Sequence, residues 1–142
     1  MSVIHAGLVA MRLGGHWAGA LITGPSGVGK SDLTMRALDL GLRLVADDRT
    51  LVWNSGGRLF GRAPDSICGL FEARGLGVVA APCLPFAEVR LIVVCEPDAT
   101  AIERMPPEND VEEVSGCLVP RLRLHPCQAS APAKLRLALG RG

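Results

Sequence analysis

The chain has 142 residues, of which 49% are apolar and 20% charged, and its formal net charge is +1. This length and composition predict one compact globular domain over residues 1–142 and exclude an intrinsically disordered chain. The small net charge argues against a broad electrostatic surface for nucleic acid or for an anionic membrane.

The N-terminal half alternates apolar runs with glycine-rich turns. Apolar runs on both sides of Gly14-Gly15 predict a β-hairpin. Further on, leucine and alanine recur at helical spacing up to Gly41, which stands where a helix C-cap is expected. The predicted elements are a hairpin of residues 3–13 and 17–23, a helix over 31–40, a buried strand over 42–46 and a second hairpin of residues 50–53 and 58–60.

The C-terminal half has a less regular pattern. Its clearest element is the apolar run at residues 89–95, which is typical of a strand buried on both faces. Pro120 favours an edge strand, and Ser130 followed by Pro132 indicates the start of a helix. The other predictions are a loop or short helical turn over residues 63–70, a distorted strand leading to a loop over 71–79, an exposed acidic loop over 96–115 and the edge strand itself over 118–124.

The cysteines and the N-terminus bear on the cellular compartment. No two cysteines form a C-x-x-C pair, and their spacing fits no common zinc site. Neither a signal peptide nor a run of about 18 apolar residues occurs. We therefore expect a cytoplasmic protein with buried, reduced thiols at Cys68, Cys83, Cys95, Cys117 and Cys127.

Residues 24–31 carry the strongest chemical motif. They read Gly-Pro-Ser-Gly-Val-Gly-Lys-Ser and match G-x-x-x-x-G-K-[ST], with an apolar strand before them and an amphipathic helix after them. In such a loop the backbone N–H groups cradle phosphate, Lys30 contacts the β- and γ-phosphates, and the Ser31 hydroxyl can ligate Mg²⁺. The predicted nucleotide-binding residues are Gly24, Ser26, Gly27, Val28, Gly29, Lys30 and Ser31.

Two acidic residues follow the next predicted strand. Asp47 and Asp48 stand where a phosphate-loop protein needs a carboxylate to complete its magnesium site. Adjacent residues at a strand end point apart, so one aspartate could serve the metal while the other accepts the proton of an attacking hydroxyl. The residues leave open which aspartate has which role. The short separation from Ser31 and the absence of N-K-x-D disfavour a GTPase.

Five short segments occur in order along the chain. They are His5, residues 24–31, Leu-Val-Ala-Asp-Asp at 44–48, Ala-Pro at 63–64 and Phe-Glu-Ala-Arg-Gly-Leu-Gly at 71–77. The E-x-R-G-x-G within the last segment is uncommon among phosphate-loop proteins. The set resembles the C-terminal catalytic domain of the HPr kinase/phosphorylase family, in the short form found in α-proteobacteria.

The resemblance implies a fold and an activity. The fold is α/β, a P-loop-containing mixed sheet with flanking helices, and its nucleotide site is similar to that of phosphoenolpyruvate carboxykinase. The activity is ATP- and Mg²⁺-dependent phosphorylation of a serine of HPr, the phosphocarrier protein of the sugar phosphotransferase system, or of a nitrogen-related paralogue. The resemblance also implies reverse phosphorolysis, control of carbon metabolism and a homo-oligomer, which is a hexamer in the family.

The resemblance also assigns residues to the site. His5 matches a family histidine near the transferred phosphate, and Arg74 matches the arginine of the diagnostic segment, where it binds phosphate or positions the loop. Ser31 would ligate Mg²⁺ together with Glu72 or one of the aspartates. The predicted catalytic residues are His5, Asp47, Asp48 and Arg74, and the predicted metal ligands are Ser31, Asp48 and Glu72.

Other interpretations stay open at the level of the residues. The chain could be a small-molecule kinase, although its length leaves no room for a separate lid domain. It could also be a non-catalytic nucleotide-sensing module if Asp47, Asp48 or His5 is misplaced. Arg74 could be a surface arginine paired with Glu72, in which case Glu72 would be an ion-pair partner and not a metal ligand.

Overall fold

Eleven strands and two helices form the part of the chain that the computed structural model describes, namely residues 1–65, 68–102, 104–105, 107 and 109–141. A short 3-10 helix, Ala99–Ala101, lies between the ninth and tenth strands. The elements are β1 (Ser2–Ile4), β2 (Gly7–Leu13), β3 (His16–Thr23), α1 (Lys30–Asp39), β4 (Arg43–Ala46), β5 (Thr50–Ser55), β6 (Arg58–Arg62), β7 (Leu70–Ala73), β8 (Gly77–Ala80), β9 (Ala87–Cys95), β10 (Val111–Val114), β11 (Cys117–Leu124) and α2 (Ala131–Arg141).

Nine of the strands form one mixed sheet, in which seven follow the order β1-β5-β6-β9-β3-β2-β4, while β11 pairs with β9 and β10 pairs with β11 off this path. Strand β9 pairs in parallel with β3 on one side, and β6 and β11 share its remaining pairings. The pairing of β9 with β11 is also parallel, whereas β2 is antiparallel to both β3 and β4. Strands β7 and β8 form a separate antiparallel hairpin. The predicted mixed α/β sheet is confirmed.

The core is aliphatic and lies on both faces of this curled sheet. Both helices cover one face, where Leu33 of α1 and Leu135 of α2 are fully buried beside Ile22 and Val93 of the sheet. On the other face, residues of β2 and β3 pack against β5 and β6, so the sheet covers itself. With 10 and 11 residues, the helices of the described chain are too short to cross a membrane.

The two predicted N-terminal hairpins are confirmed with small changes at their ends. Gly14-Gly15 forms the turn between β2 and β3, and β5 pairs with β6. The first predicted strand is divided, because residues 2–4 form β1 and pair with β5 instead. A turn centred on His5 separates β1 from β2, with the Ala6 N–H donating to the Ile4 carbonyl at 2.9 Å.

The prediction for residues 71–79 is wrong, because this segment forms most of the hairpin of β7 and β8. The charges that suggested irregular structure lie on its exposed face, while Phe71 and Ala73 alternate with them and pack against Leu44. Gly75 lies in the turn and Gly77 begins β8, with φ of 87° and 108°, so these glycines close the hairpin and do not disrupt a strand.

Part of the acidic segment over residues 96–115 is also ordered as a strand. Residues 111–114 form β10, which pairs with the first half of β11, while the second half of β11 pairs with β9. Asp110 accepts a hydrogen bond from Arg121 of β11 at 2.8 Å. The acidic residues are therefore partners of the basic residues on β11, which the local sequence pattern does not reveal.

Thr50 joins the turn at His5 to the sheet. Its side chain is fully buried and donates a hydrogen bond to the Ala6 carbonyl at 2.8 Å. Thr50→Val keeps the shape but removes this bond, so we expect the free energy of unfolding to fall by about 1–3 kcal/mol, measured by urea denaturation.

Thr34→Val is the matched control for that measurement. Thr34 is also buried, but its hydroxyl donates to the Lys30 carbonyl one helical turn earlier. That carbonyl also accepts a hydrogen bond from the helix backbone. We expect this variant to lose much less stability than Thr50→Val. Equal losses in the two variants would show that burial of the hydroxyl, and not its link to Ala6, matters.

Candidate phosphate-binding site

Residues 24–31 connect β3 to α1 and form a glycine-rich loop. Gly24, Gly27 and Gly29 have φ of 148°, 80° and 114°, which side chains other than hydrogen rarely permit. A Cβ atom at Gly24 would lie 3.0 Å from the Cys95 carbonyl oxygen. Gly29 is the N-cap of α1 and provides no capping side chain. The first N–H groups of α1 are therefore available to an anion at the loop.

Lys30 is the first residue of α1 and turns back over this loop. Its Nζ donates a hydrogen bond to the Gly24 carbonyl at 2.7 Å. The bond closes the loop from its first residue to its seventh. It also holds the ammonium charge beside the amides of the loop, in a position suited to an anionic ligand.

Three separate segments meet around one cavity of about 360 Å³ beside the loop. The loop and the start of α1 form one wall, Asp48 after β4 forms the second, and the β7–β8 hairpin forms the third. The lining residues are Ser26, Gly27, Gly29, Lys30, Ser31, Asp32, Asp48, Glu72 and Arg74. Eight of these nine were predicted from the sequence as site residues, and they come from three segments that are distant from one another along the chain.

The other predicted residues lie outside this lining. Gly24 supplies the carbonyl that Lys30 contacts, and Val28 packs against the apolar core beneath the loop. Exposed His5 is in the turn between β1 and β2 and is absent from the lining of the cavity. The turn is nonetheless close to the site, because a Cβ atom at Gly7 would lie 3.8 Å from the Asp48 backbone nitrogen.

Asp47 and Asp48 have different surroundings. Asp48 has a φ of 65°, which carries it out of the strand conformation and onto the wall of the cavity. Asp47 is half-buried, and its Oδ2 accepts a hydrogen bond from the Glu72 backbone N–H at 2.9 Å. Asp47 thus ties the end of β4 to the β7–β8 hairpin, whereas Asp48 can contact a ligand.

Glu72 and Arg74 lie on the exposed side of the hairpin. Phe71 and Ala73 alternate with them and are buried, which fixes the side to which Glu72 and Arg74 belong. Among the salt bridges of the described residues, none joins Glu72 to Arg74. Both side chains line the cavity and can meet a ligand there.

Burial raises the pKa of the Asp47 carboxyl from its ordinary value of 3.8. The hydrogen bond from Glu72 opposes this shift, and the neighbouring charges of Asp48 and Glu72 add to it. Since the folded chain holds this proton more tightly than the unfolded chain, the contribution of Asp47 to stability falls as pH rises from 3.8 through the raised pKa.

Asp47→Asn should remove this pH dependence while keeping an oxygen for the Glu72 N–H. We expect the stability of the variant, relative to the parent chain, to increase as pH rises through that window and then to stay level. Urea unfolding of both proteins from about pH 3.5 to 6.5 measures the difference. A difference that is constant, or that shrinks with rising pH, would contradict a raised pKa.

Several residues that support the site were missed by the sequence analysis. Asp32 lines the cavity, and its place in the first turn of α1 was the available signal. Arg36 of α1 donates to the carbonyls of Pro126 and Gln128, which lie about 90 residues away in the chain. A Cβ atom at Gly29 would lie 3.5 Å from Pro126, so this segment supports the back of the loop.

The curled mixed sheet with its two helices defines a mixed α/β domain, in which a glycine-rich loop connects β3 to α1. The family model of the HPr Serine kinase C-terminal domain matches residues 2–131. The chain therefore belongs to the HPr Serine kinase C-terminal domain family.

Individual relatives agree with this assignment. The HPr kinase/phosphorylase of Clostridium beijerinckii is 34% identical over 113 residues, which cover 73% of this chain and 37% of the relative. That of Limosilactobacillus reuteri is 36% identical over 115 residues, with 73% and 36% covered. The chain thus spans just over a third of the length of these relatives.

A solved structure gives the same fold. The Hpr(Ser) kinase/phosphatase from Coxiella burnetii superimposes with a TM-score of 0.78 at 23% sequence identity. The match covers 99% of this chain and 89% of that chain. The topology of the sheet and the placement of its two helices are therefore those of a known fold.

Proposed function

We propose that this chain transfers the γ-phosphoryl group of ATP to a serine hydroxyl of HPr. The observation that carries the proposal is the single cavity that unites Lys30 and Ser31 with Asp48 and Glu72. A phosphate-binding loop, a carboxylate for the metal and a carboxylate for the proton are the parts that phosphoryl transfer needs. Family membership and the names of the relatives support HPr as the acceptor.

The residues present fit a nucleoside triphosphate. The glycine-rich loop presents backbone amides at the N-terminus of α1, and Lys30 adds a positive charge beside them. In the bound state Lys30 would exchange the Gly24 carbonyl for phosphate oxygens. A cavity of about 360 Å³ lies within the usual range for small-molecule sites.

The donor set also fits Mg²⁺. Ser31, Asp48 and Glu72 offer oxygen atoms, and Mg²⁺ is usually held by one or two carboxylates together with phosphate oxygens and water. Within the residues that the structure describes, no group of three or more His, Cys, Asp or Glu side chains forms a complete cage for a metal. Mg²⁺ would supply charge neutralisation at the phosphate oxygens.

Each residue then has a definite task in the reaction. Lys30 and the loop amides stabilise charge on the phosphate oxygens. Asp48 accepts the proton of the attacking serine hydroxyl. Asp47 holds the β7–β8 hairpin through the Glu72 N–H, and Arg74, which lines the cavity, binds phosphate. The role of His5 stays a prediction. Its side chain is exposed in the turn between β1 and β2 and is absent from the lining of the cavity.

The experiment is incubation of the protein with γ-labelled ATP, Mg²⁺ and HPr from the same organism. Label on an HPr serine is the expected result. Formation of pyrophosphate when inorganic phosphate is added to serine-phosphorylated HPr would show that the protein also catalyses phosphorolysis. ATP binding without transfer would favour a nucleotide-sensing module. Transfer only to small molecules would favour a small-molecule kinase.

We further propose that the protein acts in the cytoplasm as a homo-oligomer.

A further inference from the structure

The five cysteines do not form the uniformly buried set expected from the sequence. Cys95 and Cys117 are buried, Cys83 is half-buried, and Cys68 and Cys127 are exposed. Burial raises the pKa of the Cys95 thiol to about 11, which makes it a poor nucleophile at neutral pH. Reactions of thiols with reagents from solvent are therefore expected at the exposed and half-buried cysteines.

Cys68 and Cys83 form a close pair. Their Sγ atoms lie 3.4 Å apart, although the residues are 15 positions apart in the chain. The Cys83 thiol is also within hydrogen-bond distance of the Val45 carbonyl, at 3.2 Å, and its backbone forms a parallel bridge with Leu44. Cys83 is thus held against β4 just before Asp47, while exposed Cys68 can meet reagents from solvent.

The pair stands at the base of the β7–β8 hairpin. Immediately inside it, the Ala81 N–H donates to the Gly69 carbonyl at 2.8 Å. Between these positions the chain carries Glu72 and Arg74 to the phosphate-binding cavity. A covalent bond between the two sulfurs would therefore close a loop that contains two residues of the candidate site.

We propose that Cys68 and Cys83 form a reversible disulfide that closes the base of this hairpin. The sulfurs need to approach by about 1.4 Å to reach the length of a disulfide bond. The oxidant is a small-molecule disulfide such as oxidised glutathione. In a reducing compartment such a bond is transient and serves to sense the thiol–disulfide balance.

The reaction has two exchange steps. The Cys68 thiolate attacks one sulfur of the external disulfide, forms a mixed disulfide and releases one small thiolate. The Cys83 thiolate then attacks the Cys68 sulfur, forms the internal disulfide and releases the second small thiolate. Two protein thiols are oxidised, one external disulfide is reduced, and the two protons go to the released thiolates.

The order of attack follows from the surroundings of the two sulfurs. Cys68 is exposed and meets the external disulfide first. Burial raises the pKa of the Cys83 thiol, so its thiolate is scarce at neutral pH. The closing step should therefore accelerate about tenfold per pH unit while the pH remains below that pKa.

Trypsin offers a direct test of the bond. It cleaves after Arg62, Arg74 and Arg90, so Cys68 lies alone in peptide 63–74 and Cys83 alone in peptide 75–90. The full chain is equilibrated with oxidised and reduced glutathione, its remaining thiols are alkylated, and the digest is analysed by mass spectrometry. We expect the two peptides joined by one disulfide in the oxidised sample and separated again by dithiothreitol.

Three variants control this experiment. Cys68→Ser and Cys83→Ser should each abolish the joined peptides, whereas Cys127→Ser, which removes the other exposed cysteine, should leave their yield unchanged. Glutathione retained on Cys68 alone, bonds between different chains, or two alkylated peptides under oxidising conditions would each overturn the proposal.

Hydrogen exchange measures what the bond does to the hairpin. Closing this loop restricts its open states, so amide exchange in β7 and β8 should slow at least about tenfold on oxidation. Exchange in β2 and β3 should not change, and Cys68→Ser should show no effect of the oxidant. Unchanged exchange in β7 and β8 of the fully oxidised protein would refute the closure of the hairpin.

Discussion

Lys30→Met should reduce phosphoryl transfer to HPr by about 10²–10⁴-fold, because it removes the ammonium that stabilises charge on the transferred group. The side chain stands in the cavity with the carboxylates of Asp48 and Glu72, so its positive charge also offsets their repulsion of a nucleotide. Methionine retains most of the side-chain length and packing but has no charge. The initial rate with γ-labelled ATP and HPr measures the effect.

The sequence provides a matched control, since Lys134 is the only other lysine in the chain. Lys134 is exposed on α2, and its Nζ contacts Gln128 Oε1 at 3.3 Å. Lys134→Met should change the transfer rate by less than about twofold. If Lys30→Met kept more than a tenth of the parental rate while its fold was intact by circular dichroism, the assignment of the phosphate site would be wrong.

Features encoded by neighbouring residues were predictable from the sequence. The glycine-rich loop and α1 depend on glycine positions and on a helical period within one short segment, so they could be placed from residues 24–40 alone. The same holds for the hairpins closed by Gly14-Gly15 and by the turn after β5. Each of these elements is specified by local turn chemistry.

Features that depend on distant pairing were not predictable in this way. Strand β1 has three residues and exists because β5, about 50 residues later, pairs with it. Strand β10 likewise depends on β11, and its acidic sequence resembles a loop. The hairpin of β7 and β8 packs on Leu44, and only this contact shows that its charged residues form an exposed face.

The candidate site shows the same division. Apart from Asp32, the residues that line its cavity were named from a motif and a family resemblance, without any knowledge of their distances. The bond from the Glu72 N–H to Asp47, the support of the loop by Pro126 and the closeness of Cys68 to Cys83 arise from the tertiary fold. No period or spacing in the sequence encodes these contacts, so only the structure separates the surroundings of Asp47 from those of Asp48.

That separation predicts losses of very different size for two substitutions of the same kind. Asp48→Asn removes a carboxylate on the cavity wall, so the transfer rate should fall by about 10²–10⁴-fold if this group accepts the serine proton. Asparagine tolerates the positive φ of 65° at this position, so the backbone should not change. Asp47→Asn keeps an oxygen for the Glu72 N–H, and its rate should fall by less than about tenfold.

Titration with Mg²⁺ then distinguishes the two chemical roles of Asp48. If Asp48 accepts the proton, saturating Mg²⁺ leaves the rate of Asp48→Asn low, because no other group takes over the proton. If Asp48 is mainly a metal ligand, the variant needs more Mg²⁺ but recovers much of its rate at saturation, since Ser31 and Glu72 remain. A larger loss in Asp47→Asn than in Asp48→Asn would contradict both roles, because the carboxylate bonded to the hairpin would then be the one that reacts.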